Sequence, residues 1–163
     1  MRQLGKNTLL MVQPEDNTIG EQGLLIAELT ENSYSIENDI IDEKTKMGRI
    51  VDYGENSESF ELSAYATRGD AGQQAILKAI KNKKMLKVWE FDRVPNENGA
   101  YNAVFAKCIV ESAEVSHGDS FSELSATLQV TGESVEGELT ELPAMATQAP
   151  YEFEAPGETG ETA

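Results

Sequence analysis

A short polar segment of this chain contains the residue types of a catalytic triad. Ser116, His117 and Asp119 could in principle activate a serine hydroxyl for nucleophilic attack. Residues this close in sequence cannot easily reach the converging geometry that a triad needs. We therefore expect a surface loop and no catalytic residue, and convergence of the three side chains in a pocket would instead indicate a small hydrolase.

A second motif, Arg68-Gly69-Asp70, matches an adhesion tripeptide. It directly precedes a segment of helical periodicity, where a glycine turn followed by an aspartate is typical of a helix start. We therefore interpret Asp70 as an N-cap and not as part of an adhesion site.

Metal and cofactor sites are also not predicted. The chain has a single histidine and a single cysteine, Cys108, which lies in an apolar alternating run. Glu136, Glu138 and Glu141 lack the Asp-rich, glycine-centred spacing of a calcium loop. No glycine-rich segment opens a helix after a strand in the manner of a phosphate-binding loop. We expect no metal, no nucleotide and no other cofactor.

The net charge excludes a nucleic-acid-binding surface. The 163 residues carry 13 Lys and Arg against 29 Asp and Glu, a formal net charge of −16. Such a surface repels phosphates, which need clustered cations to bind. The lone cysteine cannot form an intrachain disulfide, and no apolar run approaches the roughly 20 residues of a membrane span. These features predict a protein made in the cytoplasm that does not insert into membranes.

Charge is concentrated at the C-terminus. Residues 133–163 contain eight glutamates and no lysine or arginine, together with three prolines. This composition cannot pack a core by itself. We therefore predict one domain over residues 1–137 and a flexible acidic arm over residues 138–163.

Alternating apolar and polar residues over most of the body predict a mainly β protein. The clearest strands are residues 60–66 and 124–131, and residues 8–13, 23–28 and 34–40 are weaker candidates. Residues 85–93 and 101–111 predict a hairpin whose loop contains Asn98-Gly99.

That hairpin carries four aromatic side chains, which leaves a second function open. If they form a surface cluster, the chain is a monomeric β-sandwich binding or adhesion module; if they lie in the core, it is not. The four are Trp89, Phe91, Tyr101 and Phe105.

One helix is predicted after Asp70. Ala75, Ile76, Ala79 and Ile80 recur at helical spacing, so this side should pack on a sheet. The polar side and last turn carry a basic patch that could meet acidic residues of another subunit. This basic patch consists of Lys78, Lys81, Lys83 and Lys84.

Residues 37–48 form a charged segment between two strand candidates, and we predict a long loop there. The pattern supports two interpretations equally, a solvated surface loop or an arm that reaches a neighbouring subunit.

Five segments, in this order and spacing, resemble the major tail tube protein family of siphophages, the phages with long non-contractile tails. The segments are GKNTLL at 5–10, DEKTKMGRI at 42–50, RGDAGQ at 68–73, VWEF at 88–91 and LQVTGE at 128–133. The resemblance covers most of the chain, and none of the segments is a catalytic signature.

The resemblance implies a β-sandwich or barrel-like domain with one flanking helix, a long loop and an extended C-terminal arm. It implies a structural virion protein and no enzyme: hexameric rings stack into a tube through which DNA is ejected, with strands of each subunit lining the bore. Tape-measure and tail-tip or terminator proteins would be partners, and DNA would pass without specific binding. The implied contacts between rings are in the arm and at Asp42, Glu43, Lys44, Thr45, Lys46, Met47 and Arg49.

An acidic bore would let DNA slide, because carboxylates repel the passing phosphates. Polar strand positions supply the candidates for the lining. They are Glu61, Glu90, Glu111 and Glu123.

Overall fold

A computed structural model describes residues 2–143, 146, 153 and 155–157. After a short 3₁₀ turn at Gly5–Asn7, the described part contains eight strands and one helix. They are β1 (Thr8–Pro14), β2 (Leu24–Leu25), β3 (Leu29–Thr45), β4 (Gly48–Tyr65), α1 (Ala71–Asn82), β5 (Leu86–Asp92), β6 (Tyr101–Ser116), β7 (Glu123–Val130) and β8 (Val135–Leu139).

All pairings among these strands are antiparallel, in the order β2-β1-β5-β6-β7-β4-β3, with β8 also on β6. The long strand β6 belongs to two halves of the sheet. Its first part pairs with β5 and β8, and its second part, from Cys108 onward, pairs with β7. We call the second half, β6-β7-β4-β3, the four-stranded sheet.

One core fills the space between these elements. Buried side chains from both halves and from the helix meet there, among them Val12, Phe60, Ile76, Val88 and Leu128. The alternation of buried and exposed residues in β4 and β7 follows from the two-residue period of a strand, which turns successive side chains to opposite faces. The predicted mainly β fold with one flanking helix is confirmed.

The helix begins as predicted. The Asp70 carboxylate accepts a hydrogen bond from the backbone N–H of Gln73 at 3.0 Å, which makes Asp70 the N-cap. The helix ends at Lys83, a non-glycine residue in the left-handed conformation with φ 56°. Ala75, Ile76 and Ala79 face the core, so the predicted apolar side is the packed one.

The prediction of a long loop over residues 37–48 is wrong. Residues 37–45 belong to β3, which ends at Thr45, and β3 and β4 form a single hairpin. Only Lys46 and Met47 lie between the paired residues Thr45 and Gly48. Both faces of this part of the hairpin are exposed and charged, so no apolar alternation marked it as a strand.

The predicted boundary between residues 137 and 138 falls inside a strand. β8 extends to Leu139 and pairs with β6, and Leu142 and Ala146 pack with a second, smaller apolar cluster. The acidic arm therefore does not begin at residue 138, and most of its later residues lie outside the described ones.

Candidate assembly interface

The outer part of the β3-β4 hairpin extends beyond the rest of the sheet. β4 pairs with β7 only over residues 59–65, whereas its pairing with β3 continues to the tip. Residues 38–56 therefore form a two-stranded ribbon that pairs with no other described strand, and we call it the ribbon. An isolated pair of strands is marginally stable in water, which favours a role in contact with another molecule.

A two-residue turn closes the ribbon. The Thr45 hydroxyl donates to the Gly48 carbonyl at 2.9 Å and accepts from the Met47 backbone N–H at 3.2 Å. Gly48 has φ 137°, a conformation that glycine adopts readily. Lys46 and Met47 are thereby held at the tip, and the Met47 side chain is 99% exposed.

An ion pair fixes the register just before the turn. The Arg49 Nε and a terminal guanidinium nitrogen donate to the two Asp42 carboxylate oxygens, each at 2.7 Å. A planar guanidinium and a carboxylate match in this two-bond geometry. Both side chains are exposed, so the ion pair contributes little to stability. We assign it the role of holding the two strands in register.

The ribbon exposes large apolar side chains on both faces. Ile40 pairs with Tyr53 and Asp42 with Val51, so Ile40, Val51 and Tyr53 share one face, where Tyr53 is 81% exposed. Ile41 and Ile50 are exposed on the other face. Apolar side chains concentrated on a projecting element mark a docking surface.

A bulge bends the strands where the ribbon begins. Between the pairs Asn38–Asn56 and Ile40–Tyr53, Asp39 lies opposite two residues of β4. One of the two is Gly54, at which a side-chain Cβ would lie 2.8 Å from the Asp39 carbonyl oxygen. Only glycine fits this close approach of the two backbones, and the bulge can set the direction in which the ribbon leaves the domain.

A buried carboxylate lies just inside this bulge. Glu58 is only 6% exposed. It accepts hydrogen bonds from the Ser134 backbone N–H at 2.9 Å, the Ser134 hydroxyl at 2.5 Å and the Tyr34 hydroxyl. Burial acts to raise the pKa of Glu58, but the hydrogen bonds from Ser134 and Tyr34 hold that pKa below its ordinary value. The sequence analysis missed this site, although alternation with Phe60 places position 58 on the core face.

The outer face of the four-stranded sheet is acidic and rich in hydroxyls. Glu61, Glu111 and Glu123, three of the predicted bore acids, lie there together, and Gln129 donates to Glu111 at 3.0 Å. Within residues 31–37, 57–65, 109–116 and 123–129, the outward positions carry no lysine or arginine, and the exposed Lys107 of β6 lies just outside these ranges. The same face carries Glu31, Ser33, Ser63, Ser112, Glu114, Ser125 and Thr127, which the sequence analysis did not single out.

The fourth candidate, Glu90, lies elsewhere. It is in β5, half-buried between the positions of Leu10 and Val104. One of its carboxylate oxygens is buried without a hydrogen-bond partner among the described residues. Burial raises the pKa of Glu90 above its ordinary value, and the structure does not group it with the other three glutamates.

Both lateral edges of the four-stranded sheet carry unpaired strands. β3 pairs only with β4, and β6 from Ile109 to Ser116 pairs only with β7 among the described strands. Unpaired backbone N–H and C=O groups along such edges are ready to pair with another chain.

The four lysines of the basic patch are exposed at the end of α1. One of them is already paired within the chain, because the Lys84 Nζ lies 3.0 Å from an Asp16 carboxylate oxygen. This hydrogen bond and the lysine charge lower the pKa of Asp16. Contact of the patch with another subunit stays a prediction.

The motifs set aside in the sequence analysis have local roles. The Asp70 carboxylate is occupied by the cap and by the Ala27 backbone N–H at 3.3 Å. His117 Nδ1 lies 2.6 Å from the Ser122 hydroxyl, so its contact is not with Ser116 or Asp119.

The aromatic side chains of the β5-β6 hairpin pack against one another and against the end of the domain. Phe91 is buried, and the Trp89 and Phe105 rings lie 5.1 Å apart. Leu139 and Leu142 pack over this cluster. These contacts favour a packing role for the hairpin aromatics over an open binding surface. In the described part of the chain, no helix has the length and hydropathy needed to cross a membrane.

Comparison with known proteins shows the family to which this chain belongs. Residues 2–136 match the phage tail tube protein family. The chain therefore belongs to that family, whose members are structural proteins and not enzymes.

Two further similarities extend over nearly the whole chain. It is 39% identical over 160 residues to tail tube protein gp17.1* of Bacillus phage SPP1, a match that covers 96% of this chain and 61% of that protein. The chain thus spans less than two thirds of its relative. The structure of the SPP1 tail tube matches with a TM-score of 0.81 and 35% identity, covering 98% of this chain and 95% of that one.

The fold also occurs in a more distant particle. The tail of an empty gene transfer agent particle, refined with C6 symmetry, matches with a TM-score of 0.62 at 15% identity. The match covers 82% of this chain and 98% of that one. At this identity the similarity concerns the fold alone.

Proposed function

We propose that this chain is the repeating subunit of a siphophage tail tube, in which rings of six copies stack into a conduit for DNA ejection. The observation that carries the proposal is the four-stranded sheet, with an unpaired strand at each lateral edge and an acidic outer face. Family membership and the similarity to the SPP1 tube support it.

The strand directions favour closure of these sheets into a ring. The four strands alternate in direction, so the free edges of β3 and β6 run in opposite directions. When the β3 edge of one copy meets the β6 edge of the next, the new pair is antiparallel like every other pair. A ring of copies then removes all of these edges, as barrel closure does.

The bore follows from the face that such a closure turns inward. One face of the four-stranded sheet carries the core and the helix, so the other must line the bore. That face carries Glu61, Glu111 and Glu123. A lining of carboxylates and hydroxyls repels phosphates, which lets DNA pass without binding. Glu90 is not part of this proposed lining.

The ribbon is the proposed contact between rings. It projects along the strand direction, which is steeply inclined to the plane of a ring in a closed barrel. Its exposed apolar side chains would be buried against the next ring. The acidic arm would add further contacts, and tape-measure and tail-tip or terminator proteins would meet the bore and the two ends of the tube.

Electron microscopy of the purified protein tests the proposal. At high concentration we expect hollow filaments with a regular axial repeat. A variant in which a short Gly-Ser linker replaces residues 42–49 should fold but form no filaments, because it lacks the outer ribbon. The matched control replaces the exposed turn residues 118–120 in the same way and should assemble normally.

Two results contradict parts of this scheme. Filaments from the ribbon variant, with the same repeat as wild type, would show that the ribbon does not join rings. A protein that stays as small uniform particles at every concentration, even with preformed tail tips added as initiators, would contradict the tube itself.

A further inference from the structure

One aromatic side chain of the C-terminal arm is almost fully exposed to solvent. Phe153 is 92% exposed, and the sequence around it is Tyr151-Glu152-Phe153-Glu154, an alternation of aromatic and acidic residues. A fully solvated aromatic ring forgoes the favourable free energy of apolar burial. This segment therefore has the chemistry of a docking peptide.

A cavity of matching character lies beside the end of α1. Its apolar wall is formed by Ala75 and Ala79 of the helix and by Leu86 at the start of β5. The cavity measures about 180 Å³, and a dry protein cavity of roughly 150 Å³ is known to hold a benzene molecule. The cavity therefore has room for one aromatic ring.

The rim of this cavity is basic. Lys78 and Lys84 both border it, and Lys81 and Lys83 lie nearby on the chain. Asp16 is also on the rim and pairs with Lys84, so Lys78 is the better candidate to receive an acidic side chain. The two glutamates that flank Phe153 in the sequence would meet this basic rim.

We propose that Phe153 of one copy inserts into this cavity of a second copy, with Glu152 and Glu154 facing the lysines. A second copy is the partner because Phe153 is exposed to solvent and because the sequence of residues 151–154 and the rim of the cavity have opposite charge. The inference rests on the proposed assembly of identical chains. It assigns the acidic arm a specific binding site on the neighbouring copy.

Chemical crosslinking between two variants that each carry one added cysteine tests the contact. Ala155→Cys and Asn82→Cys proteins are mixed under assembly conditions and treated with a short bis-maleimide. Asn82 borders the cavity, and Ala155 lies two residues after Phe153, so the proposed contact residues are unchanged. The native Cys108 gives little background: it is buried, and burial raises its pKa to about 12. Ile19→Cys replaces Ala155→Cys in the matched control, because Ile19 is exposed and lies outside the acidic arm.

We expect a covalent heterodimer in the mixture and little in the control. Adding Lys78→Glu to the Asn82→Cys protein should lower the yield about tenfold, because it places a like charge opposite Glu152 and Glu154. If no heterodimer forms, the proposed binding of Phe153 in the cavity is wrong, and this conclusion holds whether or not tubes form. A double variant, Ala155→Cys with Asn82→Cys, that is linked only within single chains would also overturn the proposal, since the arm would then fold back onto its own chain.

Microscopy of the same mixture separates this inference from the proposed function. If tubes form without the crosslink, the tube proposal stands and the binding of Phe153 in the cavity is rejected. The crosslink in a sample that forms no tubes, even with preformed tail tips added, supports the binding of Phe153 in the cavity and contradicts the tube.

Discussion

Replacing Glu58 tests how the base of the ribbon is held. The carboxylate is buried and accepts three hydrogen bonds from Ser134 and Tyr34. In Glu58→Gln the amide can orient its oxygen toward the Ser134 backbone N–H and its nitrogen toward the two hydroxyls. All three hydrogen bonds then survive, but none is assisted by charge. In Glu58→Ala they are all lost, and the backbone N–H of Ser134 loses its acceptor.

The magnitude follows from the strength of such bonds. Hydrogen bonds to a charged group contribute about 1.5–3 kcal/mol each and neutral ones about 0.5–1.5. Because coupled bonds are not additive, we expect Glu58→Gln to lower the free energy of unfolding by about 1–2 kcal/mol at pH 7. Glu58→Ala should lower it by about 3–4 kcal/mol. In a chain of this size, 1 kcal/mol corresponds to about 2–4 °C in Tm.

The effect of Glu58→Gln should depend on pH. The folded-state pKa of Glu58 lies below its ordinary value, so folding favours the charged form. That contribution is fully present above the unfolded pKa of about 4.3 and is lost as the pH falls through the lower folded pKa. The difference in stability between wild type and Glu58→Gln should therefore shrink in acid.

Urea unfolding followed by circular dichroism at several pH values measures both effects. Glu55→Gln is the matched control, because Glu55 is an exposed glutamate on the same strand and should change stability little. Equal stability of wild type and Glu58→Gln at pH 7 would refute the reasoning. So would a difference that stays constant down to the lowest pH at which the protein folds.

Three further perturbations are expected to separate local from assembly effects. Asp70→Ala should lower the free energy of unfolding by about 1–2 kcal/mol in a denaturant titration, because the cap carboxylate is lost; no change would mean that the helix does not depend on it. Gly72→Ala should cost about 1–3 kcal/mol, since its Cβ would lie 2.6 Å from the Leu25 carbonyl oxygen, whereas Gly118→Ala, with open space around it, should cost far less. Limited proteolysis should cleave after residue 142 in the monomer and not in the assembly; equal cleavage in both would argue against the arm as a contact.

The sequence predicts those elements in which one face is buried. Phe60 and Leu62 alternate with exposed residues, as do Leu124 and Leu128, and each run is a strand. Asp70 combines a capping side chain with the apolar period that follows it. In these segments, local pattern and tertiary packing agree.

The ribbon shows why the rest could not be predicted. Ile40 and Ile41 are adjacent, as are Ile50 and Val51, so both faces carry an apolar residue and the two-residue period disappears. Its strand character depends on cross-strand pairing, which no local pattern reports. The resemblance to a family implies a contact role for these residues, which stays a prediction, and it did not indicate their conformation.

In the proposed ring, one chain must keep two kinds of surface apart. Contact surfaces require apolar side chains, and those of the hairpin project on the ribbon, away from the four-stranded sheet. The sheet's outer face carries hydroxyls and the carboxylates of Glu61, Glu111 and Glu123, which in a single chain only repel one another weakly in water. Ring closure would bring six such faces around one bore, where the carboxylates act together on a passing polyanion and where an apolar or basic patch would hold it. The bulge at Gly54 and the buried Glu58 lie where these two surfaces meet, so a change there would alter how the rings stack while leaving the lining of the bore intact.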